Sequence, residues 1–70
     1  MRRRPVSSTA LASVGYDATR RVLEVEFRHH GIYRYLGVES AIHRALLDAD
    51  SKGQYFQERI RDRYPCERVG

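Results

Sequence analysis

Residues 22–28, Val22-Leu23-Glu24-Val25-Glu26-Phe27-Arg28, decide how this chain folds. Leu23, Val25 and Phe27 alternate with Glu24, Glu26 and Arg28, a strict period of two. This predicts a strand with one apolar and one charged face, as in an antiparallel sheet with one side in water. Working outward, His29-His30-Gly31 reads as a hairpin turn, with Gly31 supplying a positive φ at little steric cost. Residues 32–38 form the next predicted strand. Tyr33 and Tyr35 share one of its faces, Ile32, Arg34 and Leu36 the other, and the reading favours the tyrosines inward. On the N-terminal side, residues 11–17 are strand-like, with Ala12, Val14 and Tyr16 on one side. Asp17-Ala18-Thr19-Arg20 turns the chain, the Asp17 carboxylate bonding the backbone that follows it.

After Val38 the period changes to helical. Ser40 reads as the cap of a helix whose Ile42, Ala45, Leu46 and Ala49 fall on one side, ended by Asp48-Ala49-Asp50. Ser51 with Gln54 three residues on is a capping-box pattern. It opens a second helix on which Phe56, Ile60 and Tyr64 recur every four residues, until Pro65 stops it. The fold class is therefore α+β: a three-stranded antiparallel β-meander followed by two α-helices packed on one face. Short connections favour the meander, and amphipathic helices need the Leu23/Val25/Phe27 face to cover. Glu24, Glu26 and Arg28 should then lie in water. Residues 1–9 read as a flexible basic arm, 10–65 as one domain and 66–70 as a frayed tail. An edge strand at 11–17 or 32–38 would permit strand addition or a homodimer.

Seventy residues bound this to one small domain, which buries only about 60% of its unfolded surface. With 41% hydrophobic and 31% charged residues, wholesale disorder is excluded. The formal charge of +4 is unevenly placed: without Arg2, Arg3 and Arg4, ten basic side chains face nine acidic ones. From Lys52 onward there are five basic residues against three acidic. Cys66 is alone, which excludes an internal disulfide or a Cys-x-x-Cys site and points to a cytoplasmic setting. No apolar run suits a signal peptide or a membrane helix.

Several spaced segments resemble the KTSC domain family, named for a domain at the C-terminus of some lysyl-tRNA synthetases and also found as short bacterial and phage proteins. They are Ser7-Ser8, Val14-Gly15-Tyr16-Asp17, Leu23-Glu24-Val25-Glu26-Phe27, Gly31, Tyr33-Arg34-Tyr35 and Val38. They continue with Ala49-Asp50-Ser51-Lys52-Gly53-Gln54-Tyr55-Phe56, Ile60-Arg61 and Tyr64. One departure is Val38-Glu39, where the family tends to have Val-Pro; an acidic residue also suits a helix N-terminus. The resemblance implies a compact accessory domain with no settled activity. It also implies an association with nucleic acid, because the family is attached to a tRNA-handling enzyme.

Catalytic chemistry finds little footing. His29 and His30 are adjacent and read as a solvated turn, His43 lies on a helix, and Cys66 lies in the tail. Zinc would need four ligands gathered from unrelated positions, and Gly53 lacks the second glycine of a phosphate loop. We therefore expect a non-enzyme without metal or cofactor. Nucleic-acid binding ranks first among the functions. Its candidate residues are Arg2, Arg3 and Arg4 on the arm, Lys52 at the start of the second helix, Arg59 and Arg63 four apart along it, and Tyr55 as a stacking platform. A protein–protein module docking on a host enzyme or larger complex is the alternative, with Tyr33, Tyr35 and Tyr55 as interface candidates.

Overall fold

The computed structural model describes residues 1–70. It builds the sheet from β1 (Arg3–Pro5), β2 (Leu11–Asp17), β3 (Val22–Phe27), β4 (Gly31–Leu36) and β5 (Cys66–Arg68). Helices α1 (Ser40–Asp48) and α2 (Lys52–Arg59) intervene between β4 and β5. All neighbours are antiparallel in the order β1-β2-β3-β4-β5. The α+β class and the two helices match expectation, but the sheet has five strands rather than three. The two additional strands come from the segments read as arm and tail. Each is three residues long and too short to show a period, and each forms because β2 and β4 otherwise leave backbone groups unpaired. The edges are consequently β1 and β5, so β2 and β4 lie inside the sheet, and the strand expected over 32–38 runs only from Gly31 to Leu36.

The alternation of β3 sorts the two faces. Leu23 and Val25 are fully buried with Val14 of β2 and Tyr35 of β4, under Leu46 of α1 and Phe56 of α2. Tyr35 thus points inward as expected, and Tyr33 is half-buried against the same core. One detail of β2 differs. Leu11 pairs with Phe27 and Ser13 with Glu26, so Ala12 is the extra residue of a bulge. The bulge restores parity, placing Leu11 rather than Ala12 in the core.

Local signals hold at the turns. Asp17 Oδ1 accepts from the Thr19 and Arg20 amides at 3.0 and 3.2 Å. Gly31 has φ +94°, and a Cβ there would lie 2.6 Å from the Gly70 carbonyl. Ser51 caps α2, its hydroxyl accepting from the Gln54 amide at 3.2 Å. Ser40, by contrast, is the first residue of α1. Glu39 is the cap, in extended backbone and without a side-chain bond.

Helix α2 stops at Arg59, well short of Pro65. The Ile60 and Arg61 amides both reach the Phe56 carbonyl at 2.9 Å, and Asp62 turns into the left-handed region at φ +62°. This early exit lets the chain return along β4, where the Leu36 amide donates to the Pro65 carbonyl at 2.9 Å. Ile60 still reaches the core from the helix cap, and Tyr64 arrives half-buried from the returning loop.

Candidate functional site

The outer sheet face is closed by ion pairs. The register aligns Arg3, Gly15, Glu24, Arg34 and Glu67 in one row across all five strands. Glu24 was expected in water and is instead only 2% exposed. Arg3 and Arg34 flank it, Arg34 Nε donating at 2.8 Å and Arg3 forming a direct ion pair from the other side. Arg3 Nε also donates to Ser13 Oγ at 3.0 Å, and Ser13 Oγ donates to Glu26 at 2.8 Å. Burial alone would raise the Glu24 pKa, but hydrogen bonds from Arg34 and Arg3, and their charges, outweigh it and hold the carboxyl below its usual range. The Arg34 guanidinium is raised in turn, chiefly by its bond to Glu24.

Gly15 makes this arrangement possible. A Cβ there would lie 2.8 Å from the Arg2 carbonyl oxygen and 3.1 Å from Arg3 Cγ. Gly15→Ala should push β1 away at a cost of about 1–3 kcal/mol. The Val6 amide, bonded to the Ala12 carbonyl at 3.2 Å, should lose hydrogen-exchange protection while the β3–β4 amides keep theirs. Unchanged protection of Val6 would show that the strand tolerates the methyl.

The other face holds a cleft of about 610 Å³ between the β3–β4 hairpin and α2. Its floor is aromatic. The Phe27 ring meets Tyr33 and Phe56 edge-to-face at 5.8 and 5.0 Å, and Phe56 meets Tyr35 at 5.3 Å. Arg28, His29, His30, Arg61 and Asp62 stand around it, the arginines and histidines all exposed. Burial first, then the nearby Cys66 thiol and Tyr33 hydroxyl, push the Tyr35 phenol up to about 12, so it stays protonated.

A polar recess of about 430 Å³ adjoins this cleft and shares Thr9, Arg28 and Gly53 with it. Here the Ser7-Ser8 segment meets Asp50-Ser51-Lys52-Gly53 at the start of α2. Gly53 lets the helix approach the segment that enters β2, since a Cβ would lie 3.1 Å from Ala10 Cβ. Arg28 spans the recess, its Nε donating to the Ser8 carbonyl at 2.8 Å.

The predicted residues are dispersed. Arg2 and Arg4 are exposed beside Arg3, which is held by Glu24. Lys52 lines the recess, its Nζ donating to the Ala49 carbonyl at 3.1 Å. Arg59 is exposed at the end of α2, whereas Arg63 lies in the loop beyond it, donating to the Glu58 carbonyl at 3.0 Å. Tyr55 is half-buried against the core. Of the interface candidates, Tyr35 is core and Tyr33 lines the cleft. Arg28, His29, His30 and Arg61 were not singled out for binding. The histidines sit in a turn, and Arg61 is brought beside Tyr35 only by the early end of α2.

His43 packs elsewhere, stacked on Tyr16 with ring centroids 4.6 Å apart, while the Tyr16 hydroxyl donates to the Val38 carbonyl at 2.6 Å. Burial, then the Arg44 charge, lowers its pKa. No helix is long and apolar enough to cross a membrane.

These features define a class: a five-stranded antiparallel meander under two short helices, with a cleft where the hairpin meets the second helix. The model of the KTSC domain matches residues 7–64, and the chain belongs to that family. It is similar to the crystal structure of a KTSC domain protein from Yersinia pestis, with a TM-score of 0.97 and 42% identity. That match covers 99% of this chain and 97% of the other. It is 43% identical over 58 residues to an uncharacterized protein of Stutzerimonas stutzeri, covering 83% of this chain and 82% of that one. It is also 33% identical over 54 residues to a lysine–tRNA ligase of Trichormus variabilis, covering 77% of this chain but 10% of the ligase. The Glu39 departure leaves the fold intact, since the extended cap still delivers Ser40 into α1.

Proposed function

We propose that this chain is a non-catalytic accessory module that associates with nucleic acid through the cleft between the hairpin and α2. The observation that carries the reading is the aromatic floor of that cleft with Arg28, Arg61 and, in the adjoining recess, Lys52 around it. Such a combination suits phosphates and bases together. The outer sheet face offers no rival, because Arg3 and Arg34 face Glu24, Glu26 and Glu67 there. Attachment of a similar segment to lysine–tRNA ligases supports the same reading. Exposed Arg59 on α2, Arg4 on β1 and Arg2 just before it add basic groups outside the cleft.

The test is a titration of fluorescent tRNA and short RNA across a salt series. Three neutralised phosphates give a log–log salt slope of about −2 on a single strand and about −3 on a duplex. Arg28→Glu with Arg61→Glu should weaken binding by about tenfold or more and flatten that slope. Absence of salt-dependent binding to tRNA, single-stranded and duplex probes would sink the proposal. In that event a stoichiometric protein retained from lysate through nuclease and high salt would favour the protein–protein module, which the nearly neutral body would suit.

A further inference from the structure

We infer that the ligand is an unpaired stretch of nucleic acid, with one base entering the cleft against Tyr33 and Phe27 and its flanking phosphates on Arg28 and Arg61. The inference rests on the proposed nucleic-acid association and narrows the substrate class of the same site.

Shape is the first argument. A recess of about 610 Å³ lies within the roughly 300–1,000 Å³ typical of small-molecule sites, and its apolar groups are at the floor rather than on a ridge. A paired base keeps its faces inside the helical stack and presents only its edges. Only an unpaired or extruded base reaches a concave aromatic floor.

The state of the rings is the second argument. Phe56 and Tyr35 are each 6% exposed and are spent on the core. Phe27 and Tyr33 are half-buried, so part of each remains open to the cleft they line. Arg68, on exposed β5, already lies over the Tyr33 ring at 5.9 Å from its centroid, so a base would meet the part of the ring that lines the cleft. Stacking partners for a base are thus available on this face.

Charge placement is the third. Many single-strand binders spread bases over an open sheet, but the open face of this sheet carries two cations against three carboxylates. Glu26 and Glu67, which are not buried, would lie under the phosphates and repel them. Arg28, in the turn after β3, and Arg61, in the turn after α2, stand around the cleft with one carboxylate, Asp62, against them, and a strand passing across it would meet both.

The experiment compares the full-length chain on a short single-stranded RNA and on the same strand annealed to its complement. A fluorescent adenine analogue replaces one base. Single-stranded RNA should bind at least about tenfold tighter than the duplex, and the analogue should be quenched on binding, as stacking requires. Tyr33→Leu should lower single-strand affinity about fivefold or more, abolish the quench and leave the salt slope unchanged, whereas Tyr33→Phe should retain both affinity and quench. Equal binding of the two forms, or binding without quenching, overturns this inference and leaves the broader association standing. Failure of both forms to bind overturns the association itself. If Tyr33→Leu fails to fold, the affinity ratio and the quench measured on the unaltered chain still decide.

Discussion

Phe56→Ala should remove about a third or more of the domain's resistance to urea. The ring is 6% exposed and lies 5.0 Å from Phe27 and 5.3 Å from Tyr35, so it ties α2 to both β3 and β4. Truncating a buried Phe costs about 3–5 kcal/mol, because the transfer energy is lost and the neighbours refill the cavity only in part. A 70-residue domain has only about 4–10 kcal/mol in total. The surroundings here cannot collapse easily, since the sheet floor is hydrogen-bonded and the helix is pinned by its Ser51 cap. Circular dichroism through a urea series reads the loss directly. A midpoint within error of the unaltered chain would mean that α2 is not held by this contact. Tyr33→Phe, which keeps the ring and loses one exposed hydroxyl, should move the midpoint little.

The second large effect concerns Glu24. Arg3→Ala or Arg34→Ala alone leaves the carboxylate one guanidinium, and each should lower stability only modestly. The double variant strands a carboxylate whose side chain is 3% exposed, and its cost should exceed the sum, at about 3–5 kcal/mol. Adding Glu24→Leu should recover much of it, because an apolar side chain of similar size removes the buried charge. A strictly additive double variant would show that water reaches Glu24 and that the arginines act independently.

The pH dependence provides a sharper check. The folded Glu24 pKa is depressed below its ordinary 4.5, so its pairing stabilises the fold above that value and is lost as the pH falls through the folded pKa. In the double variant only burial remains, which raises the pKa. The sign then reverses: that variant should gain stability as the pH is lowered toward 4.5, where the unaltered chain begins to lose it. Melting temperatures measured from neutral to acid pH separate the two behaviours.

Much of the architecture was legible in residues 11–60. The alternation of Leu23, Val25 and Phe27 set the central strand and the face that the helices cover, Asp17 and Gly31 marked the turns, and Ser51 with Gln54 marked the start of α2. Local rules suffice there because each signal acts within a few residues of itself. The Ala12 bulge was hidden, since a sequence period cannot report an unpaired residue until the partner strand is in register. The end of α2 was hidden as well, because Phe56, Ile60 and Tyr64 keep helical spacing while the backbone leaves the helix at Ile60.

The candidate site was less legible than the fold. The basic residues nearest in sequence, Arg2 to Arg4 and Arg59 with Arg63, are not those that the chain gathers. Arg28 and Arg61 are 33 positions apart, and only the folding of α2 back over the hairpin makes them neighbours of one cleft.

By itself, then, the sequence determined the central meander, the helix order and the inward face, because alternation and capping are local and each burial choice is made within one element. Tertiary structure alone decided that the two chain ends become edge strands, and that Glu24 of an apparently solvated face is buried. It also decided that the aromatic cleft opens beside Arg28. These outcomes depend on free backbone groups and charges from distant segments, whose energies exist only once the segments meet.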